Sequence, residues 1–373
     1  MELSLSEEQE MLKSAARRFV DQEYPKETLL ELAASGQPAP SQPWEKLVGT
    51  GWLGILIPIE YGGEGGSFTD AGVLFEEFGR GPVPGPHLSS SVLSALAIIA
   101  GGTEEQKKDW LPALAKGERT VVPAITEGEY GWHPEDVHLT ASWDGNSYRL
   151  TGSKVYVFDG TSATHLMCAV RSEDGRDVGL VMVPAAAAGV RIRPLEGFAW
   201  NLAEVKLDNV AVDEAAVLGG SIAGGWTAMD TAVQQSIPIL CAYQVGGCQA
   251  VYEVSVEYSR TRIQFGTPIG RFQRVQDHIV NLVNQLDASR WTTYEALWKL
   301  DTDKPAADSV HLAKAVTSLG YHAACNHAHE VHAGVGSMTE YGLTLHTTAS
   351  RTLYHFLGDP NFHRNRLADA LGL

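Results

Sequence analysis

Apolar residues recur at helical spacing from the start of the chain. Met11, Leu12, Ala15, Ala16 and Phe19 share one face of a run over residues 3–22, which the 3.6-residue period reads as an amphipathic helix. Ser4-x-x-Glu7 and Ser6-x-x-Gln9 are alternative capping boxes at its start, and Pro25 stops it. Pro38 to Pro43 reads as a turn-rich linker. Helical runs follow over about 44–53, 70–80 and 88–100, and Thr103-x-x-Gln106 caps another that carries Trp110, Leu111 and Leu114. Short connections between these runs make residues 1–120 a helical domain.

Near residue 120 the period shortens to two. Tyr148 to Leu150, Val155 to Val157, Gly179 to Val183 and Val205 to Val210 read as strands, with Gly145-Asn146 as a hairpin turn. Leu195-Glu196-Gly197 belongs to the same region, which predicts a small β-domain over 121–222. Helical spacing returns after Gly224-Gly225-Trp226 and persists to the end. Helices over about 226–262, 271–301, 306–333 and 339–358 predict a four-helix bundle within 223–373. The fold class is therefore mainly α with a small β-domain.

Composition narrows the partners. A net charge of −17 over 373 residues argues against nucleic acid and anionic membrane. No run approaches the length of a membrane span, and the acidic start does not read as a signal peptide. Cys168, Cys241, Cys248 and Cys325 sit in apolar contexts without C-x-x-C spacing, which predicts buried free thiols in a reducing cytoplasm. His327, His329 and His332 flank Glu330, but offsets of two and five do not share a helix face. No metal site is expected there.

The densest chemistry lies in Arg260 to Gln276, R-T-R-I-Q-F-G-T-P-I-G-R-F-Q-R-V-Q. Gly266, Pro268 and Gly270 break one helical run before another begins near Arg271. Arginine presents a planar fork of donors suited to a phosphate pair. Phe265 and Phe272 add flat apolar faces, and Gln273 both gives and takes hydrogen bonds. The stretch reads either as a corner that grips a dinucleotide or as a helix–turn–helix with a charged outer face.

R-x-x-FG-x-PI-x-x-FQ-x-x-Q resembles the signature of the acyl-CoA dehydrogenase family of flavoproteins, and the resemblance runs from end to end. Gly51-Trp52-Leu53-Gly54, Pro58 and Gly62-Gly63 follow the family's G-x-x-G-x-x-x-P-x-x-x-GG segment. Lys154-Val155-Tyr156-Val157-Phe158-Asp159-Gly160 is the counterpart of its K-x-W-I-x-N-G strand. The resemblance implies the three-part fold of that family, with a β-barrel-like middle domain, and FAD-dependent α,β-dehydrogenation of an acyl-CoA thioester. By resemblance Arg262 contacts a flavin pyrophosphate, Phe265 packs near the adenine side and Gln273 sits beside them. The second half of the grip, Q-x-x-GG-x-G in the family, reads here Glu330-Val331-His332-Ala333-Gly334-Val335-Gly336, so Gly334 and Gly336 join the site. In the family this grip closes on a flavin held mainly by the neighbouring subunit, which implies oligomerisation.

Two family motifs depart. The flavin-ring cradle T-E-P-x-A-GSD is matched only at Thr126 and Glu127; Trp132 stands where a serine is expected, and Phe158 where a strand hydroxyl is. The family's base, a glutamate in a Y-E-G turn, falls on Leu357, and its alternative position on the first bundle helix falls near Ser236. Neither residue accepts a proton, so no catalytic residue is assigned. Asp359 and Glu340 are the acids nearby, each with a structural role as the simpler account. Gly358-Asp359-Pro360-Asn361-Phe362-His363-Arg364 resembles the G-D-x-x-x-H-R tail of members that work as mixed, two-gene assemblies. The expectation is a base-lacking partner in an α2β2 assembly with a second acyl-CoA dehydrogenase subunit, with an electron-transfer flavoprotein as acceptor. A steroid side chain or fatty acyl group as substrate follows from analogy with those assemblies. A self-sufficient homotetramer using Asp359, and a flavin-free interaction protein on the same scaffold, are the rivals.

Overall fold

The computed structural model describes residues 4–35, 41–197 and 201–373. Leu3 of the expected first helix and Pro38, Ala39 and Pro40 of the expected linker lie outside the described residues. The helices are α1 (Glu7–Glu23), α2 (Lys26–Ser35), α3 (Ser41–Val48), α4 (Phe68–Arg80), α5 (Ala95–Gly101), α6 (Glu104–Ala115), α7 (Gly225–Thr261), α8 (Gln273–Asp301), α9 (Ala307–His332), α10 (Leu343–His355) and α11 (Pro360–Leu371). Seven strands form one sheet: β1 (Val121–Ala124), β2 (Thr140–Trp143), β3 (Tyr148–Phe158), β4 (His165–Ser172), β5 (Val178–Pro184), β6 (Val190–Pro194) and β7 (Leu202–Val212). Two short strands, β8 (Ile263–Gln264) and β9 (Thr267–Pro268), make a separate hairpin.

The contacts resolve into two compact units that interleave along the chain. One comprises residues 1–37, 67–83 and 237–373, and the other 38–66 and 84–236. The expected boundaries at 120 and 222 follow chain order and are a separate description.

In the first unit α9 packs against α8, α10 and α11, and α1 packs against α4. Of the two candidate capping boxes the chain uses Ser6 and Gln9: Gln9 N donates to Ser6 Oγ at 3.2 Å and Ser6 N to Gln9 Oε1 at 3.1 Å. Helices α4 and α7 approach closely because Gly79 and Gly246 have no side chain. A Cβ on Gly79 would stand 1.7 Å from Tyr243 O, and one on Gly246 1.8 Å from Glu76 O. Two carboxylates are buried on α4 and both are paired, as burial demands. Arg17 forks onto Glu77 with two 2.9 Å bonds, and Glu76 accepts from Tyr294 Oη at 2.8 Å and Arg290 Nη2 at 3.2 Å.

In the second unit the sheet runs β1-β4-β2-β3-β7-β6, with β5 on the far edge of β4. Val122, Leu150, Leu166, Cys168, Val181 and Val205 are fully buried at its centre. Gly145 takes φ 99 in the turn that joins β2 to β3. The two short runs expected around 148–150 and 155–157 are one strand, interrupted by register shifts at Leu150/Gly152 and Lys154/Val157. Those shifts break the alternation and made one strand look like two.

Other departures have local causes. Ser41, Gln42 and Pro43 of the expected linker are helical, in the first turn of α3, where proline costs little because its missing N–H is unpaired anyway. The run expected as one helix over 88–100 opens as a π-helix, His87–Ser94, before α5. Helix α11, not foreseen as a separate helix, starts with the N-cap Asp359 and Pro360. All four cysteines are buried and free. Among the described residues no helix is long and apolar enough to cross a membrane.

Asp159, where the family strand has asparagine, is fully buried at φ 59, a conformation these two residues tolerate best. Ser89 Oγ donates to its Oδ2 at 2.6 Å, and Asn201 Nδ2 lies 3.5 Å from Oδ1. Burial pushes its carboxyl up to about 7, against the lowering by Ser89 and Asn201. The folded chain thus binds more protons than the unfolded one from about pH 4 to about pH 7, and stability falls as pH rises through that window. Asp159→Asn should be more stable than the parent at pH 8, by on the order of a few kcal/mol, with the gain vanishing near pH 4. Urea unfolding at the two pH values checks this; a pH-independent difference contradicts it.

Candidate functional site

The end of α7 builds the corner. Arg262 N donates to Tyr258 O at 2.9 Å, closing the last helical turn, and Ile269 N donates back to Arg262 O at 2.9 Å. Ile263 pairs with Pro268 and Gln264 with Thr267. The two residues at the tip, Phe265 and Gly266, have φ 53 and 77, the pair of positive values that a type I′ hairpin loop requires. Glycine fits there; phenylalanine costs roughly 1–2 kcal/mol. Burial within this chain does not offset that cost, because Phe265 is 93% exposed and meets only the edge of Phe272, at 6.1 Å between ring centres.

Helix α8 opens at Gln273, and its N-cap residue Phe272 offers no side-chain cap. Val275 N and Gln276 N donate to Phe272 O at 3.0 and 3.1 Å, and among the described residues the N–H groups of Gln273 and Arg274, at the positive end of the dipole, find no partner. Gln276 Nε2 donates to Gly270 O at 2.9 Å and braces the turn, while Gln273 is exposed. Arg260, Arg262, Arg271 and Arg274 are all exposed here, and among the described residues none pairs with a carboxylate. In an acidic chain that concentration of guanidinium groups has the chemistry to receive an anion.

The glycine turn lies at the same end of the first unit. The ring of Tyr258, one turn before Arg262, stacks on His332 at 4.5 Å. Directly after His332, Ala333 takes φ 48, ψ −137, a region that favours glycine. Gly334 is exposed, and no heavy atom lies within 4 Å of where its Cβ would stand, so its backbone is open to a ligand. Gly336 is different: it is buried, and a Cβ there would meet His332 Cβ at 2.9 Å. Its smallness serves packing. Glu330 is exposed on α9. His329 bonds Thr347 at 2.8 Å and His327 bonds His278 at 3.0 Å.

The turn in which the family's base is expected is also set by backbone. Leu357 is buried and left-handed at φ 61, followed by Gly358 at φ 103. His363 Nε2 donates to Leu357 O at 2.8 Å, and its Nδ1 faces His311 Nδ1 at 3.0 Å. Burial and the nearby Lys314 hold His363 down to about 3, so it is a neutral donor. Lys314, wholly buried, donates to Leu353 O and Ser318 Oγ at 2.8 Å each and caps the end of α10. Sequence reasoning missed this support. Its signal is a lone lysine inside the apolar run of α9, the pattern of a buried cation with a dedicated partner. Asp359 spends Oδ1 on the Phe362 amide at 2.8 Å. Ser236 is buried, with Oγ donating to Ala232 O at 2.6 Å. Glu340 is exposed.

In the second unit the two matched cradle residues are engaged within the sheet. Thr126 is buried; its hydroxyl donates to Val155 O at 2.5 Å, and Val155 N donates to Thr126 O at 2.9 Å. Glu127 Oε1 accepts from Lys154 Nζ at 2.7 Å and from the amides of His138 and Leu139 at 3.0 Å each. Burial raises the Glu127 carboxyl, but Lys154 and the two amides outweigh it and leave it below the usual range. Around them Tyr130, Trp132 and Tyr156 form an edge-to-face trio, at 6.0 Å and 5.1 Å from the central Tyr130. Trp132 was foreseen; the two tyrosines were not, because both sit at positive φ that the strand pattern does not announce.

The profile of the acyl-CoA dehydrogenase N-terminal domain matches residues 6–118 and that of the C-terminal domain residues 223–372. A probable acyl-CoA dehydrogenase of Bacillus subtilis, YngJ, is 30% identical over 92% of both chains. Acryloyl-CoA reductase (NADH) of Anaerotignum propionicum is 31% identical over 92% of this chain and 89% of its own. The ChsE4-ChsE5 complex of Mycobacterium tuberculosis contains a chain 25% identical, superposing with a TM-score of 0.90 over 100% of this chain and 99% of that one. The chain belongs to the acyl-CoA dehydrogenase family, whose members are oxidoreductases acting on CH–CH bonds.

The family's structures are FAD-binding, and the residues here fit that group in part. The exposed arginines, the uncapped start of α8 and the open backbone of Gly334 suit a diphosphate and adenine. Trp132 and the buried Phe158 bring bulk, in place of small hydroxyl donors, to the segments that the resemblance sets against the flavin ring. The strained Ala333 allows a direct check. Ala333→Gly should raise stability by about 1 kcal/mol, relief of backbone strain exceeding the added freedom of the unfolded chain. Thermal and urea unfolding measure it, and a destabilised variant would contradict the assigned backbone.

Proposed function

We propose that this chain is the base-lacking subunit of a heteromeric, FAD-dependent acyl-CoA dehydrogenase. Its corner completes the flavin site of a second, base-bearing polypeptide of the same family. One observation carries the reading: Phe265 is held at a costly positive φ with 93% of its surface exposed, beside four arginines without carboxylate partners. Such an arrangement is stabilised by what docks on it, not by the chain that carries it.

In this reading Arg262 and the free N–H groups of α8 receive the diphosphate, and Gln273 hydrogen-bonds beside it. Phe265 lies against the adenine, and Gly334 lets the backbone approach. When bound, FAD supplies the hydride-accepting chemistry of the reaction. The chain's own contribution is binding and orientation. Leu357 offers no proton acceptor, and Asp359 is occupied as the cap of α11, so the partner provides the base. The ChsE4-ChsE5 neighbour, itself a two-polypeptide complex, supports an α2β2 assembly. The substrate is an acyl-CoA of the fatty or steroid side-chain type, with an electron-transfer flavoprotein as acceptor.

The chain purified alone should be colourless. Copurified with its base-bearing partner it should be yellow, and an acyl-CoA should bleach the flavin band. Arg262→Gln in that assembly should weaken flavin retention by about ten- to a hundredfold, the loss of a charge-assisted contact. Yellow protein that acyl-CoA bleaches, obtained from this chain alone, would defeat the proposal.

A further inference from the structure

Three aromatic rings close on one another within the first unit. Tyr258 on α7 stacks on His332 at the end of α9, with ring centres 4.5 Å apart and 25° between planes. Tyr341, in the turn before α10, lies 5.1 Å from His332 and 6.2 Å from Tyr258, so each ring meets the other two. His332 is 1% exposed. Its Nδ1 lies 2.8 Å from Ala328 O, one turn back on α9, which fixes the rotation of the ring. Burial holds the imidazole below its usual range, against the raising by Ala328, so the ring is neutral and Nδ1 is the donor.

The cluster joins the two halves of the corner. Tyr258 precedes Arg262 by one helical turn, and Arg262 N donates to Tyr258 O at 2.9 Å. His332 immediately precedes the strained Ala333 and the open Gly334. The chain beyond folds back over the ring: Met338 N donates to Val335 O at 3.1 Å and Tyr341 N to Met338 O at 3.1 Å, which returns Tyr341 to His332. Gly336 lets that turn pass, because a Cβ there would stand 2.9 Å from His332 Cβ and 3.2 Å from Leu343 Cδ2. Stacked rings hold a narrow range of separations. A leucine at 332 would fill similar space without that constraint.

We propose that His332 is a positioning residue: stacked on Tyr258 and covered by Tyr341, it sets the separation between Arg262 and the Gly334 turn, and so the width of the nucleotide grip. The inference rests on the flavin site proposed above. Titrating FAD into the apo-assembly, followed by flavin fluorescence, tests it, with the unfolding midpoint of every variant measured alongside. His332→Leu should weaken FAD binding about three- to tenfold, the weight of one aromatic contact. Tyr258→Leu, at a half-buried position, should do the same. His332→Phe keeps a flat ring and should bind FAD within about twofold of the parent. Added to Arg262→Gln, His332→Leu should cost less than it does in the parent, because it acts through that arginine. Arg262→Gln without effect on FAD would overturn the flavin site and this inference together. With Arg262→Gln weakened as expected, three results each overturn the inference alone. They are FAD affinity unchanged in both leucine variants, even at a lowered midpoint; no recovery in a His332→Phe variant that unfolds with the parent; and costs of His332→Leu and Arg262→Gln that add in full.

Discussion

The proposed corner rests on cationic side chains that, among the described residues, no carboxylate pairs. With 45 acidic and 28 basic residues, a guanidinium has many carboxylates to find, and several elsewhere in the chain do: Arg17 with Glu77, Arg119 with Asp109, Arg149 with Asp144 and Arg193 with Glu204. From the end of α7 to the start of α8, Arg260, Arg262, Arg271 and Arg274 go without one among the described residues. Desolvating them against a diphosphate recovers charge-assisted hydrogen bonds that solvent screening otherwise dilutes. The uncapped start of α8 adds its dipole to the same point. The exposed Phe265 supplies an apolar face beside the charges, the composition of an interface hot spot rather than of a free surface.

The same economy of charge explains the interior. Each buried ion here has a dedicated partner: Lys154 has Glu127 and Ile125 O, Glu76 has Tyr294 and Arg290, and Lys314 has the last carbonyls of α10. These contacts fix the ends of elements on which family chemistry is normally mounted. Lys314 and His363 hold the turn around Leu357 in the left-handed form. These contacts hold the turn in which the family's base is expected, and the residue there is a leucine.

Helix periodicity carried most of the fold. The spacing of Met11, Leu12, Ala15, Ala16 and Phe19, the Thr103/Gln106 capping box and the long runs of α7, α8 and α9 each mapped onto an observed helix. What failed were places where local rules are broken on purpose or by proximity. The bulges of β3 hide one strand as two, and the π-helix at His87–Ser94 has no sequence period of its own. Pro43 looks like a linker residue although it suits a first helical turn. The corner was legible because its arginines, aromatics and glycines are close in sequence. The packing of Tyr130 between Trp132 and Tyr156 was not, because both tyrosines sit at positive φ and Tyr156 is distant in sequence. Gly334 and Gly336 looked equivalent in sequence; only coordinates separate the open one from the packed one.

The central claim concerns where the Arg262 guanidinium goes when the assembly forms. A structure of this chain bound to its base-bearing partner and FAD measures that directly. The account predicts Arg262 within hydrogen-bonding distance of a diphosphate whose flavin ring lies on the partner, with Phe265 buried at the subunit boundary. An Arg262 left in solvent, with the nucleotide elsewhere, would contradict it.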